Sequence, residues 1–378
     1  DGIHSTGILT IKDDAKIEKA QGGTGKSGGA GIYSKGDLTI EGGTIGKWKA
    51  GGRTKTPDTD TGALGGTATE GAKGGDGIHS DGQINITGGE IVNAKGGTST
   101  VFGNGKGCNG IYSAKKLTIG TATIGNAQGG IGKSYGGAGV FSDSDLEISG
   151  KAFIQNAKGG DSWMRGGDGI HSTGILTIKD DAKIGTAQGG TGKSGGNGIY
   201  SKGDLSISQS AKINNATGGD STDGTGTGGD GIHSDGKFAI SESTSGDAWP
   251  NTIGTAKGGN GKSGGKGIFG KTVEIAVGII NQAKGGNSTG TSKDDTGGAG
   301  ISASESLTIS GNVWIEHATG GSAKDGKAGD GIRSDATLNI SGGRIAEAIG
   351  GSAESGAGGS GIHGDAGITI SGGYIDDA

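Results

Sequence analysis

Four histidines, His4, His79, His171 and His233, are each followed directly by serine in a Gly-Ile-His-Ser phrase. A histidine beside a hydroxyl is the raw material of base-assisted nucleophilic attack, but successive residues of a strand point to opposite faces, which keeps base and nucleophile apart. Carboxylates occur in pairs at Asp13-Asp14, Asp180-Asp181 and Asp294-Asp295. Two acids flanking one bond are what glycoside hydrolysis requires, yet the first two pairs occupy equivalent turns of duplicated units, and an active site is ordinarily unique. The segment Ala20–Ser27, Ala-Gln-Gly-Gly-Thr-Gly-Lys-Ser, fits a relaxed phosphate-binding loop and recurs at 127–134, 187–194 and 256–263. Such a loop needs a helix N-terminus after it, whereas Lys26-Ser27 leads through glycines into the next strand. Asp76, Asp168, Asp230 and Asp330 precede Gly-Ile and offer hard oxygen ligands, so calcium is the one cofactor left open. They fall on non-neighbouring repeats and read as solvated turn acids. Together these patterns point away from an enzyme and name no catalytic residue.

These residues are positioned by a repeat. Gly-Ile-x-Ser or a close variant begins at Gly2, Gly31, Gly77, Gly110, Gly139, Gly169, Gly198, Gly231, Gly267, Gly300, Gly331 and Gly361. Each unit continues with Leu-x-Ile, a turn, Ile-x-x-Ala, Gly-Gly, a variable loop and usually Gly-Gly again. The alternation in Leu9-Thr10-Ile11 and its copies has the period of two that defines a strand. The expected fold is all-β: a right-handed parallel β-helix of about twelve coils with three short strands per coil. Stacked coils should bury columns of Ile (Ile3, Ile32, Ile78), of Ser (Ser34, Ser80, Ser113) and of Ala (Ala20, Ala50, Ala94), with Gly-Gly at a tight corner where backbone approaches backbone, since glycine carries no Cβ and can adopt positive φ. One coil holds too few aliphatic residues to fold alone, so residues 1–378 form a single domain stabilised by stacking. Residues 1–40 match 168–207 almost letter for letter. This block duplication, and ends without caps, read as a segment of a longer repeat protein.

An outward column runs His4, Tyr33, His79, Tyr112, Phe141, His171, Tyr200, His233 and Phe269. It reads as an aromatic ladder for packing, with a platform for sugars as the rival. Insertions fall at 53–73, 98–106 and 242–251. Loop residues Phe102, Tyr135 and Trp163 lie on successive coils beside Lys106 and Lys133, and these five are the candidate ligand-binding residues, suited to an acidic glycan.

Composition narrows the partners. The 95 glycines and 4% aromatic residues would suggest low complexity if the repeat were ignored. Lys+Arg 34 against Asp+Glu 39 gives net −5 and no footprint for nucleic acid. The single Cys108 rules out an intrachain disulfide framework, and no apolar run is long enough for a membrane span. The expected partners are a glycan or neighbouring copies and coils of the same protein.

The phrase Gly74–Ile91, Gly-Gly-Asp-Gly-Ile-His-Ser-Asp-Gly-Gln-Ile-Asn-Ile-Thr-Gly-Gly-Glu-Ile, echoed at 329–345 and 358–375, resembles clostridial cell-surface carbohydrate-binding β-helices within the pectate-lyase-like solenoids. Bacterial adhesin and autotransporter passenger domains share similar coils. The resemblance implies an extracellular or cell-surface location and a non-catalytic fibre with a structural or adhesive role. Its alternative is a module that binds acidic plant polysaccharides with calcium, and a polysaccharide lyase or hydrolase is the remote third reading.

Overall fold

A computed structural model describes every residue except 52–53, 71–72, 101–104 and 242–251, with the backbone alone at 50, 51 and 54. The chain is a parallel β-solenoid of about 11 turns, and the described residues contain no helix. The twelve coil starts stack in register: Ile78 sits between Ile32 and Ile111, and Ser80 between Ser34 and Ser113. The second strand keeps Leu117 over Ile84, and the third keeps Ile124 over Ile91. Ile32, Ile78, Ile84, Ile111, Leu117 and Ile124 are fully buried, so the alternation that marks a strand also builds the core.

Ser34, Ser80, Ser113, Ser142, Ser172, Ser201 and Ser234 are buried as well. Each hydroxyl donates to a carbonyl of the preceding coil, as Ser172 does to Ser144 at 2.8 Å, and Ser172 also reaches Ile175 O at 3.1 Å. The column therefore bonds to backbone and joins coil to coil.

The alanine column needs one correction. Ala20 and Ala94 are bridged by Ala63, and Ala50 lies instead in an antiparallel hairpin of Trp48–Gly51 with Thr54–Pro57. Elsewhere the alanine follows its isoleucine by three residues, as in Ile91 and Ala94, whereas Ala50 follows Ile45 by five. In this coil the extra chain therefore leaves between Ile45 and Gly62, ahead of the corner. Trp48 folds back, its indole N–H donating to Glu90 at 3.0 Å.

The expected close approach of backbones at the Gly-Gly corner is present, without the positive φ. The Gly-Gly pairs leaving the third strand and those returning to the next coil run back to back as a two-layered fin. Gly160 N–H donates to Gly137 O at 2.7 Å, Gly167 to Gly160 at 2.8 Å and Gly190 to Gly167 at 2.8 Å, a zigzag that climbs the molecule. None of these four glycines has positive φ. A Cβ on Gly159 would lie 1.8 Å from Gly167 O, so the requirement is close approach of backbones rather than a left-handed conformation. Cys108 occupies one of the returning positions, fully buried, its Sγ 2.7 Å from Gly74 O. Burial pushes its thiol well above the ordinary range, which makes it a poor nucleophile.

Candidate functional site

The outward column of the first strand faces the returning layer of the fin, and the two form the walls of a groove parallel to the solenoid axis. Its strand wall is the aromatic ladder. Eight consecutive ring contacts link His4 to Phe269, with centroids 4.6 to 5.5 Å apart. A coil rise of about 4.8 Å places successive rings at stacking distance without adjustment. Because the faces are taken up by neighbouring rings, the ladder offers mostly ring edges to the groove. That arrangement favours the packing reading over a platform for sugars.

Asp76, Asp168, Asp230 and Asp330 are buried, which corrects the expectation of solvated turn acids. One oxygen of each accepts from a backbone N–H of the next coil: Asn109 to Asp76 at 2.6 Å, Asn197 to Asp168 at 2.6 Å, Lys266 to Asp230 at 2.5 Å and Ser360 to Asp330 at 2.7 Å. The other oxygen accepts from the residue three positions on in its own coil. That donor is His Nδ1 at 2.6 Å for Asp76, Asp168 and Asp230, and Arg333 at 3.1 Å for Asp330. Strand residues i and i+3 face opposite ways, but the turn before Gly-Ile brings the carboxylate round to the histidine edge. Burial alone would raise the pKa of Asp76, Asp168 and Asp230. The histidine bonds and, at Asp76 and Asp230, the nearby Lys73 and Lys266 outweigh it and hold all three below the usual carboxylate value.

Two of these pairs extend into longer chains. His79 Nε2 donates to Asp81 at 2.9 Å, and Asp81 accepts from Tyr33 of the preceding coil at 2.6 Å. His233, Asp235 and Tyr200 repeat this arrangement. Burial pushes both imidazoles down, yet the two carboxylates at each hold His79 and His233 above their ordinary value. The Asp–His spacing was visible in every Asp-Gly-Ile-His phrase; weighing the acids and the histidines separately missed it.

The fin wall of the groove is a column in which Lys73, Lys106, Tyr135, Arg165 and Ser194 follow one another through single backbone bridges. Four of the five candidate residues fall in two places. Lys106 Nζ lies 5.6 Å from the Tyr135 ring in this wall, and Lys133 Nζ lies 5.8 Å from the Trp163 ring at the fin tip. Phe102 is outside the described residues. Ile131, Trp163 and Met164 are all exposed around that tip, Trp163 at 70%.

Charge is handled unequally on the other faces. On the second strand Glu147 sits between Lys116 and Lys179, 2.9 Å from each, and their hydrogen bonds hold its pKa down to about 2. On the third strand Lys183 stacks directly on Lys212, and Lys257 on Lys284. Like charges in register are unfavourable, and from Thr123 to Lys284 the third strands of the described residues carry no carboxylate.

No family model, curated protein or solved structure matches this chain. Among the described residues no group of three or more His, Cys, Asp or Glu could hold a metal ion.

Proposed function

We propose that this chain is a non-catalytic rod of a bacterial surface or secreted protein, with a structural or adhesive role, in the manner of the pectate-lyase-like and adhesin solenoids its coils resemble. The observation behind this reading is the use to which the reactive-looking side chains are put. Asp, His, Tyr and Ser along the first strand bond to each other or to the backbone of an adjacent coil, in a pattern repeated along the axis. A catalytic centre is instead a unique cluster with reactive groups aimed at a substrate. The test is twofold. Cells displaying the chain should adhere to a glycan-coated or cell-coated surface, while purified protein should release no product from acidic or neutral polysaccharides. Product release abolished by Asp230→Asn would overturn the reading in favour of an enzyme.

A second reading, recognition of an acidic glycan, is favoured by the stacked lysines of the third strand and by Trp163 with Lys133 at the fin tip. Calcium belongs to this reading as an assisting ion, and its part is measured as the change in retention when the ion is chelated. Under this reading retention on immobilised polygalacturonate weakens with salt. Trp163→Ala should lower the affinity about three- to tenfold, the scale of one stacking or cation–π contact. The melting temperature should stay within error of the parent, because an exposed side chain contributes little to folding. Equal retention of the variant on a glycan array would remove the fin tip from the binding surface.

A further inference from the structure

The aromatic ladder stops at Phe269. Ser302 and then Arg333 follow it in register, so the position that carries a ring in nine consecutive coils carries a hydroxymethyl group in the tenth. His233 lies against Phe269 with centroids 4.7 Å apart, and no ring of the ladder follows on the other side. Phe269 and Arg333 are two coil rises apart, about 9.6 Å, which is the room one ring occupies between two stacked neighbours. An open cavity of about 730 Å³ lies at this gap, lined by Phe269, Ser302, Ser304, Arg333, Lys266 and Lys327.

The cavity has fixed walls, and its lining sets three cations, Lys266, Lys327 and Arg333, against three carboxylates, Asp330, Asp335 and Asp365, which engage Lys327 and Arg333 and leave Lys266 to meet an anion. Arg333 is held by Asp330, Asp335 and Asp365 at 3.1, 2.7 and 2.8 Å, which immobilises its planar group in the row where the ladder would continue. Lys266 Nζ is 4.9 Å from the Phe269 centroid, and Lys327 Nζ is 3.4 Å from Asp330 at the neighbouring corner. We propose that this gap is a binding site for a small planar aromatic carboxylate. The ring takes the place of the missing rung between Phe269 and Arg333, and the carboxylate meets the ammonium group of Lys266. A planar ring is favoured over a pyranose because the gap interrupts a stack whose period is one ring. The inference is independent of whether the rod is structural or adhesive.

The experiment is a titration of the whole chain with 2-naphthoate, followed by ligand fluorescence and by saturation-transfer NMR. Saturable binding is expected, with at least a tenfold loss in Ser302→Phe, where a built-in ring fills the slot. The same variant should melt higher than the parent, because it adds a rung to the ladder. Ser302→Ala, which leaves the slot open, should bind like the parent. Neutral 2-naphthamide should bind more weakly than the acid, and Lys266→Gln should abolish that difference. The proposal is overturned if the parent shows no saturable binding, if Ser302→Phe binds as tightly as the parent, or if glucuronate binds more tightly than naphthoate. Should Ser302→Phe fail to fold, the Lys266→Gln comparison decides: an acid preference that persists in it overturns the site.

Discussion

Gly160→Ala is expected to destabilise the solenoid by about 3 kcal/mol or more, through a single methyl group. The added Cβ would lie 2.0 Å from Gly130 O, a backbone atom that cannot swing aside as the end of a side chain can. Gly160 also sits within the zigzag, donating to Gly137 and accepting from Gly167, so moving it apart from its neighbours strains two hydrogen bonds of the fin. The cost exceeds ordinary helix or strand propensity effects and belongs with overpacking of a close-packed interior. Thermal denaturation should show a lowered midpoint, and amide exchange should accelerate first at Gly160, Gly167 and Gly190, since each coil depends on its neighbours. Gly120→Ala is the matched control. The nearest atom to a Cβ there is 3.5 Å away, an ordinary contact, and its φ is not in the left-handed region. Equal melting of the two variants would mean that backbone approach is not what selects glycine at 160.

Gly160 belongs to the part of the fold that alternation and repeat length do not encode. Strand order, register and the inward Ile and Ser columns were legible because a period of two fixes which side chains share a face, and the repeat fixes which coils meet. The fin was not. Gly-Gly is compatible with a turn of positive φ and with two backbones in contact, and only the position of the partner segment tells them apart. Ala50 was misplaced for a related reason: alanine before Gly-Gly matched the composition of the corner while missing its spacing from Ile45. At the candidate site the ladder was readable from one residue per coil. The carboxylate clamps were not, because their burial arises from a turn that folds Asp76 back under His79, and a turn's direction is not encoded in alternation. Lys106 and Tyr135 part from Lys133 and Trp163, the first two in the groove wall and the others at the fin tip, because loops of different length do not keep successive tips in one column.

Removing the carboxylate of Asp76 is the second change with a large expected effect, and its size should depend on pH. Asp76 is 2% exposed and serves Asn109 N–H in the next coil and His79 in its own. Asp76→Ala leaves both donors facing a small cavity and should cost about 2–4 kcal/mol at pH 6. Asp76→Asn keeps an acceptor for Asn109 but removes the charge, so it should cost less. The acid's pKa is held below its ordinary 3.8, so its contribution is complete above that value and disappears as pH falls through the lowered one. The pKa of His79 is held above its ordinary 6.5, so its contribution is complete below 6.5 and is lost as pH rises through the raised value. Both contributions are whole between about pH 4 and pH 6.5, and melting temperature should plateau there and decline on either side. In Asp76→Asn the acid-side decline should shrink, and His79 should titrate closer to its ordinary value because only Asp81 still accepts from it. An NMR titration placing His79 of the parent at or below 6.5 would show that burial, rather than the paired carboxylates, governs this imidazole, and the plateau would then lose its alkaline edge.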